Sequence, residues 1–136
     1  MPKPPLPDEL QRVLANPNPS IIGSVAPDGA PNTVATWYLW EDGRAVVKMD
    51  EGRKRLEYLR NEPRVSLTVL DGDSWYRHIT LHGRITLADD TDLSDIDRIS
   101  THYIGRPYSQ RDRGRVTGRI EVASWHAWNG GRTWKP

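Results

Sequence analysis

The sequence predicts a mainly β domain: about six antiparallel strands forming a small closed or partly closed barrel, with helices plugging its openings. Three observations carry that reading. Six segments alternate apolar and polar residues, are rich in β-branched and aromatic side chains, and are separated by Gly, Pro and Asp-Gly punctuation. One helix-patterned segment falls between the third and fourth strands and another before the last, so helices interrupt a sheet rather than alternate with strands as in a parallel α/β fold. The length of 136 residues suits one domain, 1–136.

Residues 1–7, MPKPPLP, are too proline-rich for regular structure and form an irregular arm. DELQRVLANP follows as a short helix with Leu10, Val13 and Leu14 on one face. SIIGSVA and NTVATWYLW are strands joined by the turn PDGA, and EDGR turns the chain into the strand RAVVKM. EGRKRLEYLRNEP is a helix with Leu56 and Leu59 facing inward, stopped at Asn61-Glu62-Pro63. RVSLTVLD, the turn region GDS and WYRHITLHGRITLAD supply two more strands, with a bulge expected at Gly83. DDTDLSDIDRISTHYIGRP holds a helix with Leu93, Ile96, Ile99 and Tyr103 at helical spacing, and GRVTGRIEVASWHAW is the last strand. No internal repeat is evident.

Composition excludes several function classes. Nineteen basic against eighteen acidic residues leave a net charge of +1, which provides no general field for nucleic acid. The absence of cysteine removes disulfides, thiolate metal sites and a cysteine nucleophile. No signal peptide or membrane-inserting run is present, so a cytoplasmic location is expected. His78 and His82 are four apart on a strand, about 13 Å, and no carboxylate pattern completes a metal set. DDTDLSD lacks the alternating ligands of a calcium loop and instead complements a helix dipole. Ser24 and Ser66 have no nucleophile-elbow context.

The feature that asks for a function is the run Arg53-Lys54-Arg55 at a helix start. The first helical turn already carries unpaired N–H groups and a partial positive charge, so acidic residues are the usual occupants. A basic run there either solvates a face or holds an anion. Alternation in TWYLW places Trp37 and Leu39 on one face and Thr36, Tyr38 and Trp40 on the other, so an aromatic set could wall a planar ring or simply pack. Lys48 faces either solvent or a phosphate.

The order of these segments resembles the FMN-binding split-barrel superfamily, typified by pyridoxamine 5′-phosphate oxidase, over about 100 of the 136 residues. It is most similar to the B-type flavin/deazaflavin oxidoreductases of actinobacteria, which use coenzyme F-420. The likeness rests on APDGAPNTVATWYLWEDG, GRKRLEYLRNEPRVSLTV, WYRHITLHGRITL and YIGRPY, in that order. It implies that Arg55, eight positions before Pro63, contacts the cofactor phosphate, with Lys54 beside it and Arg53 at the strand-to-helix junction. It implies that Thr36 and Trp37 lie on the strand lining the ring. The oxidases carry an Arg-Gln pair at the positions of Arg77 and His78; Arg77 is the better carry-over, and His78 in place of Gln weakens the case for FMN. The resemblance further implies an oxidoreductase moving hydride between reduced coenzyme F-420 and a small unsaturated acceptor, in a homodimer with the cofactor groove at its interface. FMN is the alternative cofactor, and a non-catalytic carrier of a deazaflavin or tetrapyrrole is the alternative role. No catalytic residue is assigned; Tyr38, Tyr103, His78 or solvent could supply a proton. Arg106, Arg111 and Arg113 are candidates for the anionic tail of coenzyme F-420.

Overall fold

The computed structural model describes residues 1–72 and 74–130; Asp73, in the expected GDS turn, lies outside them. In chain order the elements are α1 (Asp8–Leu14), β1 (Ser20–Val25), β2 (Pro31–Thr36), β3 (Leu39–Glu41), β4 (Arg44–Asp50), α2 (Lys54–Asn61), β5 (Arg64–Asp71), β6 (Ser74–Asp89), α3 (Ser94–Ile104) and β7 (Arg115–Asn129). The seven strands form one antiparallel sheet in the order β2-β1-β5-β6-β7-β4-β3. This is the split-barrel architecture.

Local chemistry explains the turns. Between β1 and β2, Asp28 Oδ1 accepts the Ala30 N–H at 3.0 Å and Gly29 takes a positive φ of 88°. Between β3 and β4, Asp42 and Gly43 both have positive φ, the geometry of a two-residue hairpin turn matched to strand twist. The bulge expected at Gly83 is present as a register shift between His82 and Gly83 against β7. A Cβ at Gly83 would sit 1.8 Å from the Glu121 carbonyl oxygen, so only glycine allows the strands to meet there.

The segment NTVATWYLW is not one strand. It breaks at Trp37 and Tyr38, giving seven strands where six were expected. The cause is the burial of Tyr38, whose side chain is enclosed and whose hydroxyl donates to the Leu14 carbonyl at 2.8 Å and lies 3.0 Å from that of Asn16. Giving that buried hydroxyl its partners overrides the strand alternation. The break also shapes the sheet. β2 and β3 are its two outermost strands, yet only two residues join them, a reach of no more than roughly 11 Å. The sheet therefore curls until its edges meet.

Inside the curl lies one hydrophobic cluster built from alternate strand positions such as Ile22, Val47, Leu67, Leu81 and Ile120. Leu10 and Leu14 of α1, and Leu56 and Leu59 of α2, join the same cluster and so cap the curled sheet. The N-terminal arm is pinned: Trp125 donates its backbone N–H to the Pro2 carbonyl and its indole N–H to that of Lys3. α3 behaves differently. Its Ile96 and Ile99 are buried outside the main cluster, and the helix contacts β4 and β7. Asp90 accepts the N–H groups of Asp95 and Ile96, which fixes its start.

Candidate functional site

The site follows from incomplete pairing. β3 pairs with β4 only as far as Val46, so Val47–Asp50 run on with no partner on that side, and β2 pairs with β1 alone. A groove fills the split. Two adjoining clefts of about 600 and 570 Å³ share Ala35, Lys48 and Arg55. One end is basic, with Arg53 and Lys54 beside Asn32–Ala35 of β2. The other is aromatic, with Trp37, Tyr103 and Tyr108 beside Pro17, Pro19 and Ile21.

The basic end is built to receive an anion. α2 begins at Lys54 with Arg53 as a cap that makes no side-chain capping bond, so the backbone N–H groups of Lys54 and Arg55 lack intrahelical partners. Arg55 donates Nη2 to the Lys48 carbonyl at 3.3 Å but has no carboxylate within ion-pair distance among the described residues. Burial, and after it the like charge of Arg53, holds its guanidinium below the ordinary arginine range, while Asp50 opposes the shift. A half-buried cation without a counter-ion, next to open helix N–H groups, fits a phosphate.

Asp50 tempers that charge. Its carboxylate, almost fully enclosed, lies 3.4 Å from Lys48 Nζ, 3.2 Å from Arg115 Nε, and 3.8 Å from both Arg53 and Arg113. One carboxylate shared among four cations leaves the neighbourhood strongly positive. Arg115 is fully enclosed and donates to the Gln110 carbonyl at 2.9 Å; its Nε is near Asp50 but poorly aligned, and its Nη1 has no partner.

At the aromatic end, Trp37 stacks on Tyr103 at 5.1 Å and 11° and meets Tyr108 edge-on at 6.2 Å. Lys48 Nζ sits 4.7 Å from the centre of the Tyr108 ring, and the Arg115 guanidinium 5.4 Å from it. Burial raises the hydroxyl pKa of Tyr38, and raises that of Tyr103 to about 12.

Thus Arg53, Lys54, Arg55, Lys48, Thr36 and Trp37 share one groove, although Thr36 and Trp37 were expected on opposite faces; the break after Thr36 turns both toward it. Lys48 faces neither open solvent nor bulk phosphate space alone: it is paired with Asp50 and covers Tyr108. Arg77 and His78 lie elsewhere in the chain, lining a separate cavity of about 100 Å³ with Glu9 and Asp71. Arg77 pairs with Asp71 at 3.1 Å, and His78 Nδ1 is 3.2 Å from the Trp75 carbonyl. Arg111 is paired with Asp97 through two bonds, at 2.8 and 3.0 Å. Tyr108 escaped the sequence reading because a lone tyrosine in a Gly, Arg and Pro loop carries no periodic signal.

Comparison with known proteins agrees with this geometry. The family profile described as pyridoxamine 5′-phosphate oxidase matches residues 6–129. Among solved structures, one described as an F420 reductase superposes with a TM-score of 0.81 at 20% identity, covering 88% of this chain and 98% of that one. The conserved hypothetical protein Rv2991 of Mycobacterium tuberculosis gives 0.74 at 22% identity, covering 94% and 87%. A heme-binding protein of Mycobacterium smegmatis gives 0.68 at 18% identity, covering 96% of this chain and 57% of that one. At these identities the likeness is one of fold. No curated protein matches.

Proposed function

Because this chain belongs to the pyridoxamine 5′-phosphate oxidase family, we propose that its groove binds a phosphate-bearing flavin-type cofactor, coenzyme F-420 in preference to FMN, and that the protein is an oxidoreductase. The observation that carries the reading is Arg55: a half-buried guanidinium with no carboxylate partner, at an uncapped helix start, at one end of a groove whose other end is aromatic. When bound, such a cofactor supplies the hydride chemistry.

The chain's own residues would do three things. Arg55, Arg53 and the first N–H groups of α2 hold the phosphate. Trp37, stacked on Tyr103, presents a flat wall to the ring. Pro17, Pro19 and Ile21 keep water from the aromatic end.

The preference for coenzyme F-420 is supported by the surplus of cations. Lys48, Arg53, Lys54 and Arg55 exceed what a single phosphate needs, and Arg113 adds another beside Asp50. FMN remains the second reading because the family profile is that of an oxidase.

A homodimer is supported by the outer face of the sheet. Ile21, Thr68, Thr80 and His126 form one cross-strand row there, and Gly23, Ser66, His82 and Ser124 another. Neither row holds a Lys, Arg, Asp or Glu. Ile21 belongs to the groove, so a second copy seated on this face would border the cofactor.

Titration with coenzyme F-420, FMN and FAD, followed by tryptophan fluorescence, tests the assignment. Saturable binding with coenzyme F-420 tightest is expected. Stoichiometric FMN in the purified protein, or FMN affinity equal to or above that for coenzyme F-420 at low salt, would transfer the groove to FMN.

A further inference from the structure

The aromatic end of the groove contains four hydroxyl groups, and three are already used. Ser20 Oγ donates to the Thr36 carbonyl. Thr36 Oγ1 donates to the Trp37 carbonyl at 3.2 Å. Tyr103 Oη donates to the Asn18 carbonyl at 2.7 Å. The fourth, Tyr108 Oη, has no hydrogen-bond partner among the described residues, though its ring is half-buried in the groove wall. Among the described residues, no carboxylate lines this end.

The placement of Tyr108 is not loose. Its backbone N–H donates to Asp97 Oδ1 at 3.2 Å, and its carbonyl accepts from Arg111, whose guanidinium is itself clamped on Asp97. Asp97 on α3 therefore fixes both ends of the turn that carries the ring. Across the ring, Lys48 and Arg115 fix its tilt.

We propose that Tyr108 is a substrate-contacting residue: its hydroxyl donates a hydrogen bond to a carbonyl oxygen of an uncharged, flat acceptor lying in the aromatic end of the groove, with Asp97 as the positioning residue behind it. This rests on the groove being the redox site proposed above. The hydrogen bond both orients the acceptor and favours the oxygen on which negative charge develops during reduction. A cationic acceptor is disfavoured, since Lys48, Arg55 and Arg115 surround the position and no carboxylate of the described residues faces it.

The test uses two probes of the same outline, 2-methyl-1,4-naphthoquinone and 2-methylnaphthalene, titrated calorimetrically against the wild-type protein with and without coenzyme F-420 or FMN. Wild type is expected to prefer the quinone. Tyr108→Phe should weaken quinone binding by about fivefold, the worth of one neutral hydrogen bond, and leave the hydrocarbon unchanged. Asp97→Asn should weaken quinone binding in the same direction, and Tyr108→Phe should leave cofactor affinity unaltered.

Equal loss for both probes in Tyr108→Phe would mean that only the ring matters, and an unchanged quinone affinity would mean that the hydroxyl is idle. Either overturns the inference, as does a wild type that binds neither probe under any condition. Failure of the cofactor assignment looks different: coenzyme F-420, FMN and FAD all fail to bind, while the quinone preference and its loss in Tyr108→Phe persist.

Discussion

The hydroxyl of Tyr103 accepts a hydrogen bond from the backbone N–H of Tyr38 at 3.2 Å and donates one to the Asn18 carbonyl at 2.7 Å. One side chain from α3 thereby holds the joint between β2 and β3 against the loop after α1. Both tyrosines have hydroxyl pKa values raised chiefly by burial, that of Tyr103 to about 12 from 10.0. Raised values favour the protonated form in the folded state, so the stability they contribute is complete below pH 10 and is lost as pH climbs toward about 12. Urea midpoints should hold up to about pH 10 and then fall, with the tyrosinate absorbance of Tyr38 and Tyr103, taken as the difference between wild type and the corresponding Phe variants, appearing together with unfolding. Tyr103→Phe should lower stability by about 1 kcal/mol at neutral pH and soften the alkaline decline. Tyrosinate formation well below pH 10 in the native protein would contradict this.

Arg55→Ala should weaken cofactor binding by about 2–4 kcal/mol, the range for truncating one partner of a desolvated charged contact. Folding stability should barely change, because the guanidinium makes one long bond to the Lys48 carbonyl and no ion pair. Fluorescence titration of a variant with an unchanged circular dichroism spectrum is the measurement. Unaltered affinity would return the run to solvated surface.

The uncharged rows on β1, β5, β6 and β7 predict assembly as a dimer of about 31 kDa, twice the 15.5 kDa chain. Thr80→Glu places a charge in the middle of one row and should shift sedimentation toward the monomer. If the groove is shared, that variant also loses cofactor affinity, since binding and association are linked. Trp75 and Tyr76, stacked at 4.5 Å and 65% and 60% exposed, are an aromatic pair that a partner would cover.

If the proposed cofactor is coenzyme F-420, Arg113 is better placed than Arg111 to meet its tail, because Arg111 already pairs with Asp97. Arg113→Ala should lower affinity for coenzyme F-420 by at most about 1 kcal/mol and leave FMN untouched, and the gap between the two cofactors should narrow as salt rises. Equilibrium titrations over a series of ionic strengths would reveal a gap that is indifferent to salt, contrary to this prediction.

Much of the fold was readable in the chain. Asp42-Gly43, the bulge at Gly83, the inward leucines of α2 and the helical spacing of Ile96, Ile99 and Tyr103 each rest on interactions among near neighbours. The cations at 53–55 were readable for the same reason. The break at Trp37–Tyr38 was not, because the carbonyls that recruit the Tyr38 hydroxyl belong to Leu14 and Asn16, more than twenty residues earlier. The place of Tyr108 in the groove and the pairing of Arg111 were not legible, because their shared anchor, Asp97, lies on a helix at the far side of a loop. Arg77 and His78 sit outside the groove of their own chain, and no pattern within a single chain states whether a neighbour brings them back.

The two-residue joint makes the sheet a ribbon by hydrogen bonding and a hoop by covalent connection. Every strand keeps its ladder partner whether or not Thr36 remains bonded through Trp37 and Tyr38 to Leu39. A chain re-threaded to begin at Tyr38 and end at Trp37, its old termini bridged, would still lay down the same seven strands. What it would lose is the clasp: β2 could swing from β4, and the cleft between them would cease to have a fixed width. The ligand recognition proposed for the groove, unlike the ladder, would depend on the hoop being shut.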